Sequence, residues 1–297
     1  MFIKRLPRFE HHAATSIPEA LDLLARYAGK AEVYAGGTDL LVAMKKREKV
    51  PEHLIDLKGI AEMRGIRVDD QKGIHIGSLT TLAELEGSTV VKEKFGALWD
   101  AVNEMASPQI RTLGTIGGNL CGAVPSADTA PPLIALGSSV KMVGPSGDRS
   151  VLVENFFKGP RESVLGKNEL LKEVFIPYPS EFASGNYIKL MRRNAMDLAL
   201  VGVAASLRLD STGKICKEAR IALGAVAPTP IRVPQAEKVL TDRTIDITRA
   251  GEAGRVASQV CRPITDIRST LGYRRSMVEV LTKRAVLEAH RRILSTR

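Results

Sequence analysis

The residues whose types and spacing could do chemistry are concentrated around two glycine pairs, and the chemistry they suit is anion binding. Residues 31–41 read AEVYAGGTDLL. Ala31–Tyr34 has the aromatic and β-branched content of a short strand, Gly36-Gly37 permits a tight turn, and Thr38 or Asp39 can cap a following helix. Free N–H groups and the positive end of a helix dipole at such a start favour phosphate. An ordinary tight turn from strand to helix would carry the same residues. Residues 112–120 read TLGTIGGNL, a second run of small residues able to lie flat against a ligand with backbone N–H groups exposed. Together the two loops point to a cofactor that carries a diphosphate.

Little else in the chain could react. There is no GxGxxG dinucleotide fingerprint, no GxxxxGK[ST] phosphate loop and no GxSxG nucleophile elbow. The five histidines are scattered without ligand spacing, and His11-His12 falls in a lead-in segment where solvation is expected rather than a metal. Asp69-Asp70 is a carboxylate pair, but a hairpin tip is its natural place. Cys121, Cys216 and Cys261 are far apart with no C-x-x-C pair, so buried thiols are expected rather than disulfides or a zinc knuckle. A cradle with no reacting apparatus is the pattern of a protein whose cofactor carries the chemistry, and no catalytic or metal-ligating residue is expected on this chain.

The elements that must position the two loops follow from periodicity. Residues 1–8 read as extended, with Pro7 excluding helix. Ser16-Ile17-Pro18-Glu19 is a capping box ahead of the apolar stripe Ala20, Leu21, Leu23, Leu24 and Tyr27. The helix after Gly37 runs through Leu40, Leu41 and Met44 to Lys45-Lys46-Arg47, and residues 54–57 close a βαβαβ unit. Residues 64–68 and 73–77 form a hairpin; helices start at Thr80-Thr81 and span 95–105; residues 107–111 break helix and deliver the second loop. A further hairpin (140–143, 150–153) and a strand (170–176) end at Pro177 and Pro179. Beyond that boundary, strands over 187–192, 200–209 and 215–226 are followed by helices over 233–240, 247–260 and 272–295, which cover one face of a small antiparallel sheet. The fold class is therefore α+β, with one unit over residues 1–178 (an α/β part, 1–57, and an antiparallel α+β part, 58–178) and a second over 179–297.

At 297 residues and 44% hydrophobic content the chain can bury a core in each unit. The longest near-continuous apolar run, residues 198–207, is about half of a bilayer span and no signal peptide is visible, so a cytoplasmic protein is expected. The net charge of +10 lies wholly in residues 181–297, where 21 Lys+Arg face 11 Asp+Glu (21 − 11 = +10). The basic residues come singly or in pairs without a nucleic-acid motif, which favours an acidic protein partner over nucleic acid, with a solvated helix face as the plainer reading.

In order along the chain, AGGTDLL (35–41) and TIGGNL (115–120) resemble the FAD-binding medium subunits of molybdenum hydroxylases, a family that includes the flavin subunits of carbon monoxide, xanthine and nicotinate dehydrogenases and of 4-hydroxybenzoyl-CoA reductase. The likeness extends to Pro18-Glu19-Ala20, Ile76-Gly77-Ser78 with Thr80-Thr81, Tyr187-Ile188-Lys189 with Arg192-Arg193, residues 224–232 (GAVAPTPIR) and Tyr273-Arg274-Arg275. The cysteine-bearing insertion of the 4-hydroxybenzoyl-CoA reductase branch is missing, since Asn119-Leu120-Cys121-Gly122-Ala123 runs directly to Ser126.

The resemblance implies a two-part FAD-binding domain of the vanillyl-alcohol-oxidase type, followed by the small helix-covered sheet. It implies that Tyr34, Ala35, Gly36, Gly37, Thr38, Asp39, Leu40 and Leu41 hold the pyrophosphate, mainly through backbone N–H groups. Thr115, Ile116, Gly117, Gly118 and Asn119 would form the second wall, Asp128 would meet the ribose end, and Leu171 and Lys189 would reach the adenine or the isoalloxazine surroundings. Taken alone, Asp128 could instead cap the following helix and Lys189 could be a solvent-facing strand residue. The implied function is electron transfer through FAD within a heterotrimer, itself dimerised, of a large molybdenum-cofactor subunit, a small [2Fe-2S] subunit and this chain, with a soluble acceptor. The reading from another class is a non-enzymatic nucleotide-binding module with a basic partner-docking domain.

Overall fold

The computed structural model describes residues 5–295. The expected extended lead-in over 1–8 therefore lies partly outside the described residues. The first described element, β1 (Glu10–Ala13), lies just beyond that lead-in and supplies the first strand of the expected βαβαβ unit, followed by α1 (Ile17–Arg26), β2 (Ala31–Tyr34), α2 (Leu40–Lys46) and β3 (His53–Asp56). These strands form a three-stranded parallel sheet in the order β1-β3-β2. The Ser16 hydroxyl accepts from the Glu19 N–H, one half of the expected capping box, Pro18 sits in the first turn, and the Glu19 carboxylate accepts from the Thr15 N–H and hydroxyl. Ile17, Ala20 and Leu24 of α1 pack on Ile55 and Leu57.

A second sheet is antiparallel, built from β4 (Ile66–Asp69), β5 (Gly73–Gly77), β6 (Ser139–Gly144), β7 (Gly147–Leu152) and, after a separate two-stranded hairpin of β8 (Phe157–Gly159) with β9 (Glu162–Ser163), β10 (Leu170–Pro177). Its order is β4-β5-β10-β6-β7. Between β5 and β6 run six short helices: α3 (Leu82–Glu86), α4 (Thr89–Lys94), α5 (Gly96–Asn103), α6 (Pro108–Arg111), α7 (Ile116–Cys121) and α8 (Ala130–Ala135). Two of these correct the sequence reading. The helix does break before this segment, with Ser107 extended, but Pro108–Arg111 form a helix of their own: Ser107 caps α6, its hydroxyl accepting from the Ile110 N–H. The second glycine run is itself the helix α7 rather than a loop.

The third sheet holds β11 (Ala183–Leu190), β12 (Val201–Leu209), β13 (Ile215–Gly224), β14 (Ile231–Arg232) and β15 (Arg243–Thr244), all antiparallel. The helices α9 (Pro234–Leu240), α10 (Ile247–Val260) and α11 (Leu271–Ser295) cover one face, as expected. The other face is covered too: Tyr187, Ala204 and Ala222 share a core with Leu98 of α5 and Leu133 of α8. Burial on both faces explains why β12 reads as a near-continuous apolar run. At the end of α11, Arg292 pairs with Asp100 of α5 at 2.9 Å and donates to the Gly185 carbonyl, clasping the helix layer to the preceding part. Among the described residues no helix is long and apolar enough to cross a membrane.

Candidate functional site

The first glycine pair lies where β2 ends and α2 begins, at the carboxyl edge of the parallel sheet. Gly37 has φ +71°, the left-handed conformation that a glycine adopts without strain, and a Cβ there would collide with the Tyr34 ring. Asp39 occupies the N-cap position of α2, yet neither it nor Thr38 makes a side-chain cap. Consequently the N–H groups of Gly36, Gly37, Thr38, Asp39 and Leu40 donate to no protein acceptor among the described residues. Residues 31–41 are half-buried or exposed throughout, so the turn that carries these donors lies outside the packed core. Unpaired N–H groups in a row are an anion site in waiting. Since α2 has only seven residues, the loop donors rather than a long helix dipole carry that capacity.

The second pair is organised differently. Thr115 caps α7, its Oγ1 accepting from the Gly118 N–H at 3.0 Å. The Ile116 N–H donates to the Thr80 carbonyl at 3.0 Å and the Gly117 N–H to the Ser78 carbonyl at 2.9 Å. The donors expected to be exposed are thus already satisfied. Gly117 is needed for a different reason: a Cβ would stand 2.6 Å from the Ser78 carbonyl oxygen. Ser78 in turn donates its N–H to the Lys172 carbonyl at 2.9 Å, beside Leu171 in β10. Leu171 itself is buried in the core, 4% exposed.

The structure brings most of these residues together. A Cβ on Gly36 would collide with the Leu113 carbonyl and lie 3.1 Å from the Gly114 Cα, so the absence of a side chain lets the first turn seat directly against the start of the second segment. Asn119 Oδ1 accepts from the Thr129 hydroxyl at 2.6 Å, tying α7 to the residue after Asp128. Asp128 does not cap α8; that position belongs to Thr129, which makes no side-chain cap. Instead Asp128 accepts from Lys189 Nζ and from the Tyr187 hydroxyl, both at 2.8 Å. Lys189 is no solvent-facing residue: its side chain is 1% exposed. Burial pushes the Asp128 carboxyl up against the lowering effect of Lys189, and burial beside Asp128 pushes the Tyr187 phenol well above its ordinary value.

Ser78, Thr80, Leu113 and Tyr187 were not singled out as site residues from sequence. Ser78 and Thr80 stand in the motif shared with the resembled family, but nothing in their types says that their carbonyls hold α7.

Residues 7–179 match the model of the FAD binding domain in molybdopterin dehydrogenase, and residues 186–289 match that of the CO dehydrogenase flavoprotein C-terminal domain. This chain belongs to the family of FAD-binding subunits of molybdenum hydroxylases. It is 35% identical to the carbon monoxide dehydrogenase medium chain of Hydrogenophaga pseudoflava over 94% of this chain and 96% of that protein, and 32% identical to the xanthine dehydrogenase FAD-binding subunit of Escherichia coli O157:H7 over 94% and 95%. Carbon monoxide dehydrogenase from Hydrogenophaga pseudoflava superimposes with a TM-score of 0.93 at 35% identity, covering 97% of this chain and 99% of that one. Quinoline 2-oxidoreductase from Pseudomonas putida 86 does so with 0.91 at 29% identity, covering 97% and 99%. The fold is thus the FAD-binding type expected, and the chain is the flavoprotein subunit of an oxidoreductase, with FAD its cofactor. A non-enzymatic nucleotide-binding module finds no support. The row of orphan N–H groups beside a seam that a Cβ would fill fits such a diphosphate cofactor.

Proposed function

We propose that this subunit passes electrons between iron–sulfur clusters of a small [2Fe-2S] partner and a soluble acceptor, while substrate reacts at a molybdenum cofactor on a large partner. The observation that carries the reading is the row of unpaired N–H donors from Gly36 to Leu40, set against Leu113 and Gly114. Bound FAD supplies the redox chemistry, exchanging single electrons with clusters and pairs with an acceptor. The chain's own residues bind and orient. Residues 34–41 hold the diphosphate, with the Thr38 hydroxyl adding a side-chain donor. Residues 115–119 form a rigid wall, since α7 is fixed by Ser78 and Thr80. Asp128 and Lys189 neutralise one another, so neither brings a net charge to the site; unused lone pairs on Asp128 suit ribose hydroxyls. Leu171 contributes through its place beside Lys172 and Ser78.

Purified full-length protein should show flavin absorption in the blue, released as FAD on denaturation at about one equivalent per chain. A colourless protein that FAD does not reconstitute would overturn this reading. Residues 1–178 are proposed as the flavin unit and 179–297, carrying the whole +10 excess, as the unit that docks partners in a heterotrimer that dimerises. Assembly should weaken as salt is raised; indifference to ionic strength would exclude electrostatic docking. Three free cysteines support a reducing compartment, and we propose the cytoplasm.

A further inference from the structure

At the amino edge of the parallel sheet, opposite the Gly36-Gly37 turn, three donor side chains converge that sequence spacing does not connect. Glu10 and His12 are two apart on β1 and share one face; the parallel pairing of β1 with β3 sets His53 level with Glu10 on that same face. His12 Nε2 lies 3.1 Å from His53 Nδ1, His53 Nδ1 lies 3.3 Å from a Glu10 carboxylate oxygen, and His12 Nε2 lies 3.8 Å from that oxygen. The lead-in segment thought from sequence to leave His11-His12 solvated is therefore a strand, and only His11 faces the other way, to Asp56 at 3.2 Å.

We infer that Glu10, His12 and His53 form a binding site for a divalent transition metal, with Zn2+ as the best match. Ligands about 2.0–2.1 Å from a tetrahedral Zn2+ stand about 3.4 Å apart, which the three separations bracket. A point about 2 Å from all three atoms exists without moving a strand. Two imidazoles and one carboxylate are a borderline-soft donor set that selects Zn2+ over Mg2+ or Ca2+. The rings are held in place: Tyr27, at the end of α1, stacks on His53 at 3.8 Å and on His12 at 4.9 Å between ring centroids. The His53 and His12 side chains are 12% and 21% exposed, while Glu10 is 70% exposed and can swing in as the closing ligand. Water would complete the four-coordinate shell. The ion would staple β1 to β3, the central strand of the sheet whose far edge bears the flavin turn.

The test uses the tag-free, chelator-treated full-length chain with FAD, titrated with Zn2+ or Co2+ alone. One equivalent should bind, Co2+ should give the visible bands of tetrahedral coordination, and Zn2+ should raise the melting temperature. His12→Gln should weaken binding about a hundredfold and abolish the bands. Glu10→Gln alters an exposed side chain, and so a folded protein with weakened Zn2+ binding is expected from it whether or not His12→Gln folds. FAD content should stay the same in both, because the site lies at the other end of the strands. Absence of saturable uptake, or uptake that both folded variants leave unchanged, would overturn the assignment.

Discussion

The two glycine segments each hold a Thr and a Gly-Gly pair, the first just ahead of a helix and the second within the first turn of one, and their hydrogen bonds have opposite fates. Around Gly36-Gly37 the N–H groups from Gly36 to Leu40 find no protein acceptor. Around Gly117-Gly118 each donor is taken by Thr80, Ser78 or Thr115. The difference lies in the neighbours. The second segment is flanked by the chain leaving β5, whose carbonyls point at it, whereas the first turn projects from a sheet edge. One region is open and waits for a ligand; the other is closed and gives the first something to lean on. Substitutions in the open region should therefore empty the flavin site with little loss of stability, and those in the closed region should reduce stability first.

The largest effect is expected at the buried Asp128–Lys189 pair, next to the closed region through the Thr129–Asn119 hydrogen bond. Lys189→Met would leave the Asp128 carboxylate buried without its cation and should destabilise the protein by about 3–5 kcal/mol in a denaturant titration. The double variant Asp128→Asn with Lys189→Met removes both charges and should recover most of that loss. If the folded double variant still retained FAD as tightly as the wild type, the pair would act on the scaffold and not on the cofactor.

Next comes the seam between the regions. Gly36→Val drives a side chain into the Leu113 carbonyl, and overpacking against backbone should cost about 1–3 kcal/mol. Its larger consequence is displacement of the donor row, so flavin content should fall to near zero in the folded protein. A Gly36→Val protein that keeps a full complement of FAD would break the comparison. Below this stands Thr115→Ala, which removes the cap of α7 and should destabilise by about 1 kcal/mol, with FAD retained. Loss of all flavin from that variant would show that the closed region binds the cofactor as directly as the open one.

The fold was largely legible because its signals are local. The capping box at Ser16, the turn at Gly36-Gly37 and the hairpin between β4 and β5 specify their elements from neighbouring residues. What escaped depends on residues far apart in the chain. The satisfaction of α7 rests on carbonyls of Ser78 and Thr80, and a carbonyl has no side-chain signature. The first strand lies at Glu10–Ala13, a few residues beyond the extended lead-in over 1–8, because two adjacent histidines give no apolar alternation and its pairing with β3 some forty residues later fixes its position. The resemblance names Asp128 and Lys189 as separate positions; their mutual pairing and burial come from α8 packing on the third sheet, which no local signal reveals.

The smallest effect tests the open region most sharply. The Thr38 hydroxyl makes no hydrogen bond among the described residues, although it lies within reach of the second segment. Thr38→Val keeps the shape and removes only the donor, so the stability of the flavin-free protein should change by no more than about 0.5 kcal/mol. If that hydroxyl serves the cofactor, FAD affinity should still fall by roughly 1 kcal/mol, about a fivefold faster release measured by fluorescence of the freed flavin. A stability loss without faster release would mean that Thr38 supports the turn, and that backbone N–H groups alone make the open region an anion site.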